Sequence, residues 1–300
     1  MALVNIEPKP LAPRRRHPDW VKVKLPSGEN YVRLKTAFRR LNLHTVCEDA
    51  RCPNVGDCWG RGVATFMILG DICTRGCTYC AVSKGRPDGL DTDESRRVGE
   101  AVEGMNLRHV VITSVDRDDL TDGGASIFAE TVSEIRRRRP DCTVEVLIPD
   151  FRGQVAPLQT VLQARPDILN HNTETVPRLY RRVRCGGRYS WTMDLLENSK
   201  RLAPDILTKS GLMLGLGEEH SEIVEVLADL RQRQVEILTM GQYLRPGKDH
   251  APVVRYYRPE EFAELRSLAE GMGFTKVESA PLVRSSFHAD EQAREAMAVT

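Results

Sequence analysis

The sequence predicts an α/β protein built on a parallel sheet, either an open partial barrel or a doubly wound sheet. Three observations carry that expectation. Apolar runs of strand type recur from residue 64 onward, stretches of helical periodicity separate them, and six such units fit the chain. Strands alternating with helices mark βαβ units. Six units are too few to close an eight-stranded barrel.

Residues 1–62 read as an irregular extension. They hold Pro8, Pro10, Pro13, Pro18 and Pro26, the basic run Arg14-Arg15-Arg16, and a short helix-like piece near 34–41. The strand-type runs are ATFMILG (64–70), HVVITSV (109–115), TVEVLIP (143–149), DILNHNT (167–173), ILTKSGLML (206–214) and EILTMGQYL (236–244). SIFAETVSEIRRRR, from residue 126, closes on basic residues that suit a helix dipole, and Pro140 stops it. SEIVEVLADLRQRQ opens on Ser221 and PEEFAELRSLAEGMG on Pro259, both start signals. FTKVESAPLVRSSFHA (274–289) reads as one more strand and a tail. The expected organisation is therefore an extension over 1–62, a body over 63–273 and a strand with tail over 274–300.

Composition narrows the class. A chain of 300 residues buries about three quarters of its unfolded surface and needs no staples. Hydrophobic residues at 41% and charged residues at 28% exclude a disordered chain. Lys+Arg of 43 against Asp+Glu of 42 gives no support to nucleic-acid binding by bulk charge. No apolar stretch approaches the roughly 20 residues of a membrane helix. The N-terminal residues lack an apolar core and carry Glu7, so neither a secretory signal nor a transit peptide is expected. The expectation is a cytoplasmic chain, monomeric by default.

The eight cysteines are the most informative feature. Six fall within 47–80, and clustered thiols without an export signal point to metal binding or catalysis. Cys73, Cys77 and Cys80, spaced C-x3-C-x2-C, follow the first strand at the end where such sheets put their sites. Three thiolates hold three corners of a 4Fe–4S cube and leave one iron open. A zinc knuckle would want a fourth protein ligand and shorter pairs. Cys47, Cys52 and Cys58, spaced C-x4-C-x5-C around Pro53 and Gly56, suggest a second cluster; the alternative is a zinc site completed by His44. Cys142 reads as a small core residue, and Cys185 has no partner at ligand spacing. His109, His171 and His288 read as structural, and Arg136 to Arg139 as a solvated helix end. Gly215 and Gly217, in GLGE, would bring backbone close to a nucleotide.

The strand-plus-cysteine pattern resembles the radical SAM superfamily. C-x4-C-x5-C, then ATFMILG, then C-x3-C-x2-C, resembles lipoyl synthases, as do TSVDRDDLTDGGA, HNTETVPRLY, KSGLMLGLGE, GQYLRPGKDHAPVVRYYRPEEF and VRSSFHAD. The resemblance spans about residues 30 to 290. It implies an α/β fold that is a partial (β/α)6 TIM-type barrel, its N- and C-terminal extensions covering the mouth. It implies two 4Fe–4S clusters and S-adenosylmethionine, cleaved to 5′-deoxyadenosine and methionine, with two sulfurs inserted at C6 and C8 of a protein-bound octanoyl-lysine. Cys73, Cys77 and Cys80 would hold the radical cluster. Cys47, Cys52, Cys58 and Ser286 would hold the auxiliary cluster that supplies sulfur. Phe287 stands where the family usually has tyrosine. Tyr79 would pack on the adenine. Asn172, Glu174, Thr113, Ser114 and Asp116 would contact the nucleotide, and Arg184 a carboxylate or ribose. The implied partners are octanoylated lipoyl-carrier domains of 2-oxoacid dehydrogenases or the glycine cleavage H protein, a flavodoxin or ferredoxin as reductant, and an iron–sulfur carrier that rebuilds the spent cluster. A methylthiotransferase or maturase would share both clusters but not a labile serine ligand. An electron carrier would want four thiolates per cluster.

Overall fold

Seven parallel strands form the frame, in a computed structural model that describes residues 17–23, 25–61 and 63–298. The prolines at 8, 10 and 13 and the basic run at 14–16 lie outside the described residues. In chain order the extension holds α1 (Glu29–Arg40), β1 (His44–Thr45), α2 (Val46–Asp49) and α3 (Val55–Gly60). The body begins with β2 (Thr65–Ile68), the short pair β3 (Ile72–Cys73) and β4 (Ser83–Lys84), α4 (Glu94–Gly104), β5 (His109–Ser114), α5 (Ala125–Arg138) and β6 (Thr143–Leu147). It continues with α6 (Val155–Gln163), β7 (Ile168–Asn170), α7 (Pro177–Val183), α8 (Tyr189–Leu202), β8 (Leu207–Leu214), α9 (His220–Gln232), β9 (Ile237–Gln242) and α10 (Pro259–Gly271). β10 (Lys276–Ser279) and α11 (Ala289–Met297) end the chain. The sheet order is β1-β2-β5-β6-β7-β8-β9-β10, with β1 antiparallel to β2 and every other pairing parallel. Its two edges are not paired with each other, so the barrel is open.

The extension is less irregular than its prolines suggest. Leu34 and Phe38, four residues apart on α1, are buried, and Phe38 stacks on Trp59 at 5.6 Å and meets Phe66 at 4.8 Å. That apolar i,i+4 pair folds α1 and α3 onto β2. α9 starts one residue earlier than Ser221 predicts. Glu219 caps it, and Glu222 accepts the Glu219 N–H at 2.8 Å, a reciprocal box that Ser221 cannot form from the second helical position. The arginines at the end of α5 are not free in solvent. Arg136 pairs with Asp167 and donates to the Cys142 carbonyl at 2.6 Å, and Arg138 pairs with Glu103 at 3.0 Å.

Alternation along the strands sorts the side chains. Val110, Ile112, Val144, Val146, Leu212 and Met240 pack under the helices. The opposite face is partly polar. Glu145 and Lys209, both fully buried, pair at 3.0 Å, and Asn170 donates to Glu145 at 2.8 Å. Below them Ile168, Leu207 and Ile237 pack on Ala293 and Ala296 of α11, which plugs the floor. Among the described residues no helix is long and apolar enough to cross a membrane.

Breaking a buried pair costs more than deleting it. Lys209→Met should destabilise the chain by about 3–5 kcal/mol in urea titration, because Glu145 loses its cation. The double variant with Glu145→Gln should recover most of that loss.

Candidate active site

The cysteine loop between β3 and β4 is fixed from four sides. At its base Ile72 pairs with Ser83 in parallel register. Thr74 binds the loop after β5 through its N–H and hydroxyl, both donating to the Asp116 carbonyl at 3.0 and 2.9 Å. Thr78 donates to Val183 at 2.9 Å and accepts from Ala251 at 2.8 Å, and His250 Nε2 donates to the Cys80 carbonyl at 3.0 Å. The strongest tie is Arg75. Its buried guanidinium forks onto Asp118 at 2.8 and 2.9 Å and onto the buried Asp150 at 2.7 Å twice, with Asp116 at 3.5 Å. Bidentate pairs of this kind fix orientation as well as distance. Sequence reasoning missed Arg75. Its signal was present, an arginine inside the x3 of C-x3-C.

Cys73, Cys77 and Cys80 line one cavity of about 590 Å³. Cys47, Cys52, Ser285 and Ser286 line the same cavity. Cys58, on α3, does not line it, but it lies close enough to Cys52 and Cys47 for their charges to raise its pKa. His44 is not a cavity residue; its ring acts on Asp49 and Glu94. Among the described residues no three Cys, His, Asp or Glu side chains are placed to hold one metal ion. A cubane makes a different demand, since each of its three thiolates takes a different iron. Cys142 is a buried core residue, and the Cys77 thiol donates to the Cys185 carbonyl at 3.9 Å.

The other predicted contacts divide. Ser114, Asp116, Asn172, Glu174, Tyr79 and Arg184 all line the cavity. Ser114 Oγ and Asn172 Oδ1 are buried without a hydrogen-bond partner, which is costly unless a ligand satisfies them. Gly211 leaves Asn172 room: a Cβ there would sit 2.6 Å from Thr239 Oγ1 and 2.8 Å from Asn172 Oδ1. Glu174 holds a left-handed φ of 69°, its N–H bound to the Gly211 carbonyl at 2.8 Å. Burial raises its carboxyl pKa, with the Arg184 cation opposing. Arg184 is a buried residue, 8% exposed, that donates to the Asn172 carbonyl and to His171 Nε2 at 3.2 Å. No carboxylate lies within ion-pair distance of it among the described residues. The unpartnered Ser114 Oγ and Asn172 Oδ1, beside the Arg184 cation and the Glu174 carboxyl, fit an amino-acid-bearing nucleotide near the Cys73 trio.

Two expectations change. Thr113 lines the cavity, but its hydroxyl donates to the Leu147 carbonyl at 3.0 Å, which leaves only its acceptor side for a ligand. Gly215 makes room for the chain itself, not for a nucleotide: a Cβ would meet Gln242 Nε2 at 2.2 Å and the Arg255 carbonyl at 2.6 Å. His171 is structural, bridging the Ile148 carbonyl at 2.8 Å and Thr192 at 3.1 Å. His109 is buried, and desolvation lowers its pKa to about 3. His288 caps α11 and stacks on Phe287 at 3.8 Å. Arg284 was also missed: it lines the cavity, where Cys52 and Glu174 both act on its charge.

Burial pushes the thiols of Cys52 and Cys80 up to about 11 and that of Cys77 up to about 12, and it raises Cys58 and Cys73 too. Metal-free, these groups are neutral at pH 7, so cluster assembly must release protons. The raised values favour the folded chain below pH 9 and cease to do so as pH rises toward 12. Thermal melts of metal-free protein should therefore lose stability across pH 9 to 11, and cluster-loaded protein should not. Arg75→Lys, which loses both forks, should lower iron retained on the Cys73 trio about 10- to 100-fold in chelator competition.

The comparisons agree with this geometry. Residues 67–230 match the radical SAM superfamily, and residues 5–52 match the N-terminal domain of lipoyl synthase of the radical SAM family. The lipoyl synthase of Koribacter versatilis (strain Ellin345) is 56% identical over 290 residues, covering 97% of this chain and 94% of that one. That of Rubrobacter xylanophilus is 56% identical over 285 residues, covering 94% and 89%. Among solved structures, methylornithine synthase (PylB) superposes with a TM-score of 0.52 at 14% identity, covering 84% of this chain and 78% of that one. Streptococcus suis SuiB gives 0.55 at 9% identity, covering 87% and 57%. At those identities the two structures share the fold alone. With an open parallel barrel, a cysteine loop at its mouth and relatives matched almost end to end, the chain belongs to the lipoyl synthase family of radical SAM enzymes.

Proposed function

We propose that this enzyme inserts sulfur at C6 and C8 of an octanoyl chain joined by amide linkage to a lysine of a lipoyl-carrier domain. One 4Fe–4S cluster would sit on Cys73, Cys77 and Cys80, and a second on Cys47, Cys52, Cys58 and Ser286. The observation that carries the reading is the shared cavity, which Cys73, Cys77, Cys80, Cys47, Cys52 and Ser286 all line. Bound there, the clusters and S-adenosylmethionine supply the radical that removes hydrogen and the sulfur that replaces it.

The chain's own residues bind, orient and seal. Arg75 holds the Cys73 loop against Asp118 and Asp150. Tyr79 lies beside Glu174 and would pack on the adenine. Ser114 Oγ and Asn172 Oδ1 would take hydrogen bonds from the nucleotide, and Arg184 and Asp116, on the same cavity wall, would meet its charged end. Met67, Val115, Leu147 and Met213 give the cavity an apolar wall for the acyl chain. Excluding water there protects a reactive carbon centre. Of the described extension residues, Cys47, Cys52, Pro53, Ser285 and Ser286 line the cavity and would cover its mouth, whereas α11 lies across the floor instead of the mouth. Serine oxygen suits iron–sulfur chemistry less well than thiolate, which fits a cluster consumed as sulfur donor. The natural substrate would be a carrier domain of a 2-oxoacid dehydrogenase or the glycine cleavage H protein in the cytoplasm. A flavodoxin or ferredoxin would deliver electrons, and an iron–sulfur carrier would rebuild the cluster.

An anaerobic single turnover with dithionite and an octanoyl-lysine peptide should add two sulfurs to the peptide and release 5′-deoxyadenosine and methionine. 5′-Deoxyadenosine without a change in peptide mass would sink the substrate reading. Ser286→Cys should keep both clusters and lose sulfur transfer; unchanged activity would make Ser286 a bystander.

A further inference from the structure

We propose that Asn54 is a positioning residue for the auxiliary centre: its side chain ties the cysteine loop to the tail that carries Ser286. The inference rests on the reading of Ser286 as the fourth ligand. Asn54 lies between Cys52 and Cys58, at the position that caps α3. An asparagine there ordinarily accepts a backbone N–H from the first turn. This one makes no such bond. Its Nδ2 instead donates to the Leu282 carbonyl at 2.6 Å, across 228 residues of sequence. Asn54 is 5% exposed and the bond is partly buried, so water competes with it only in part.

Both ends of the link are stiff. The Asn54 carbonyl accepts from Asp57 at 3.0 Å and Cys58 at 2.9 Å, which fixes the residue relative to the cysteine loop. On the tail, Val283 donates to Ala280 at 3.0 Å and Phe287 to Arg284 at 2.9 Å, two successive turns that present Ser286 four residues after Leu282. Beyond Ser286, Gln292 Nε2 on α11 donates to the Phe287 carbonyl at 2.6 Å, and Arg61 pairs with Glu291. Ser286 is thus pinned on both sides. A weak oxygen ligand needs that help, because a tethered ligand acts at high effective concentration where a free one would dissociate.

Three variants separate the roles Asn54 can have. Asn54→Asp keeps the size and caps helices well but cannot donate to Leu282. Asn54→Ala loses both functions. Asn54→Gln keeps the donor. Each would be reconstituted as the full chain and followed by Mössbauer and EPR spectroscopy while a chelator removes iron. The Asp and Ala variants should show an altered auxiliary-centre spectrum and lose its iron about 10- to 100-fold faster, with the radical-centre spectrum unchanged. The Gln variant should recover most of the difference. If Asp behaves as wild type and Ala alone fails, Asn54 is a helix cap and the proposal falls. It also falls if all three match wild type, if Gln is as impaired as Ala, or if both centres are lost together. A wild-type chain with no auxiliary-centre signal would instead overturn the ligand reading itself.

Discussion

The mouth of the barrel depends on one buried guanidinium. Arg75 sits inside the cysteine loop and reaches Asp118 after β5 and Asp150 after β6. Taking such a charge out of water is expensive, and two carboxylates with bidentate geometry offset the cost. Their presence drives the arginine further from neutrality, although burial opposes it. Three loops from three parts of the sequence are thereby locked as one body. The Cys73 trio inherits its position from that lock. A cluster held on these three thiols, as proposed, would need ligands kept in place, and the Arg75 lock would supply that.

Space at the centre is made by missing side chains. Gly211 leaves Asn172 and Thr239 facing a void. Gly241 lets the tail descend onto the end of β9, since a Cβ there would sit 2.0 Å from the Val283 carbonyl. The floor below is closed by α11 and by the Glu145–Lys209 pair. The result is a cavity that is apolar on one wall, polar on another, and stopped at the bottom. Radical chemistry at an unactivated carbon requires such a vessel.

The two cysteine trios converge for different reasons. The second follows β2 directly, so its place at the strand end is automatic in a parallel sheet. The first arrives by packing: Phe38, Trp59 and Phe66 join the extension to β2, and Asn54 joins it to the tail. One trio is placed by topology, the other by tertiary contacts.

Sequence by itself determined what is local. Short apolar runs and helical stretches set the strand–helix alternation, and the cysteine spacings set the chemistry, because both are written within a few residues. Pro259 begins α10 as its fixed φ requires. Tertiary structure alone decided the rest. The extension's α1 and α3 depend on an aromatic stack with β2. Arg184, expected to meet a carboxylate or ribose, is buried and donates to the Asn172 carbonyl. Thr113, expected to contact the nucleotide, donates its hydroxyl to the next strand. Arg75, Arg284 and Asn54 carry no motif of their own, and the partners of Arg75 and Asn54 lie 43 to 228 residues away. A side chain's hydrogen-bond partner is chosen by distance in space, and in a parallel sheet every neighbouring strand is at least one helix away in sequence.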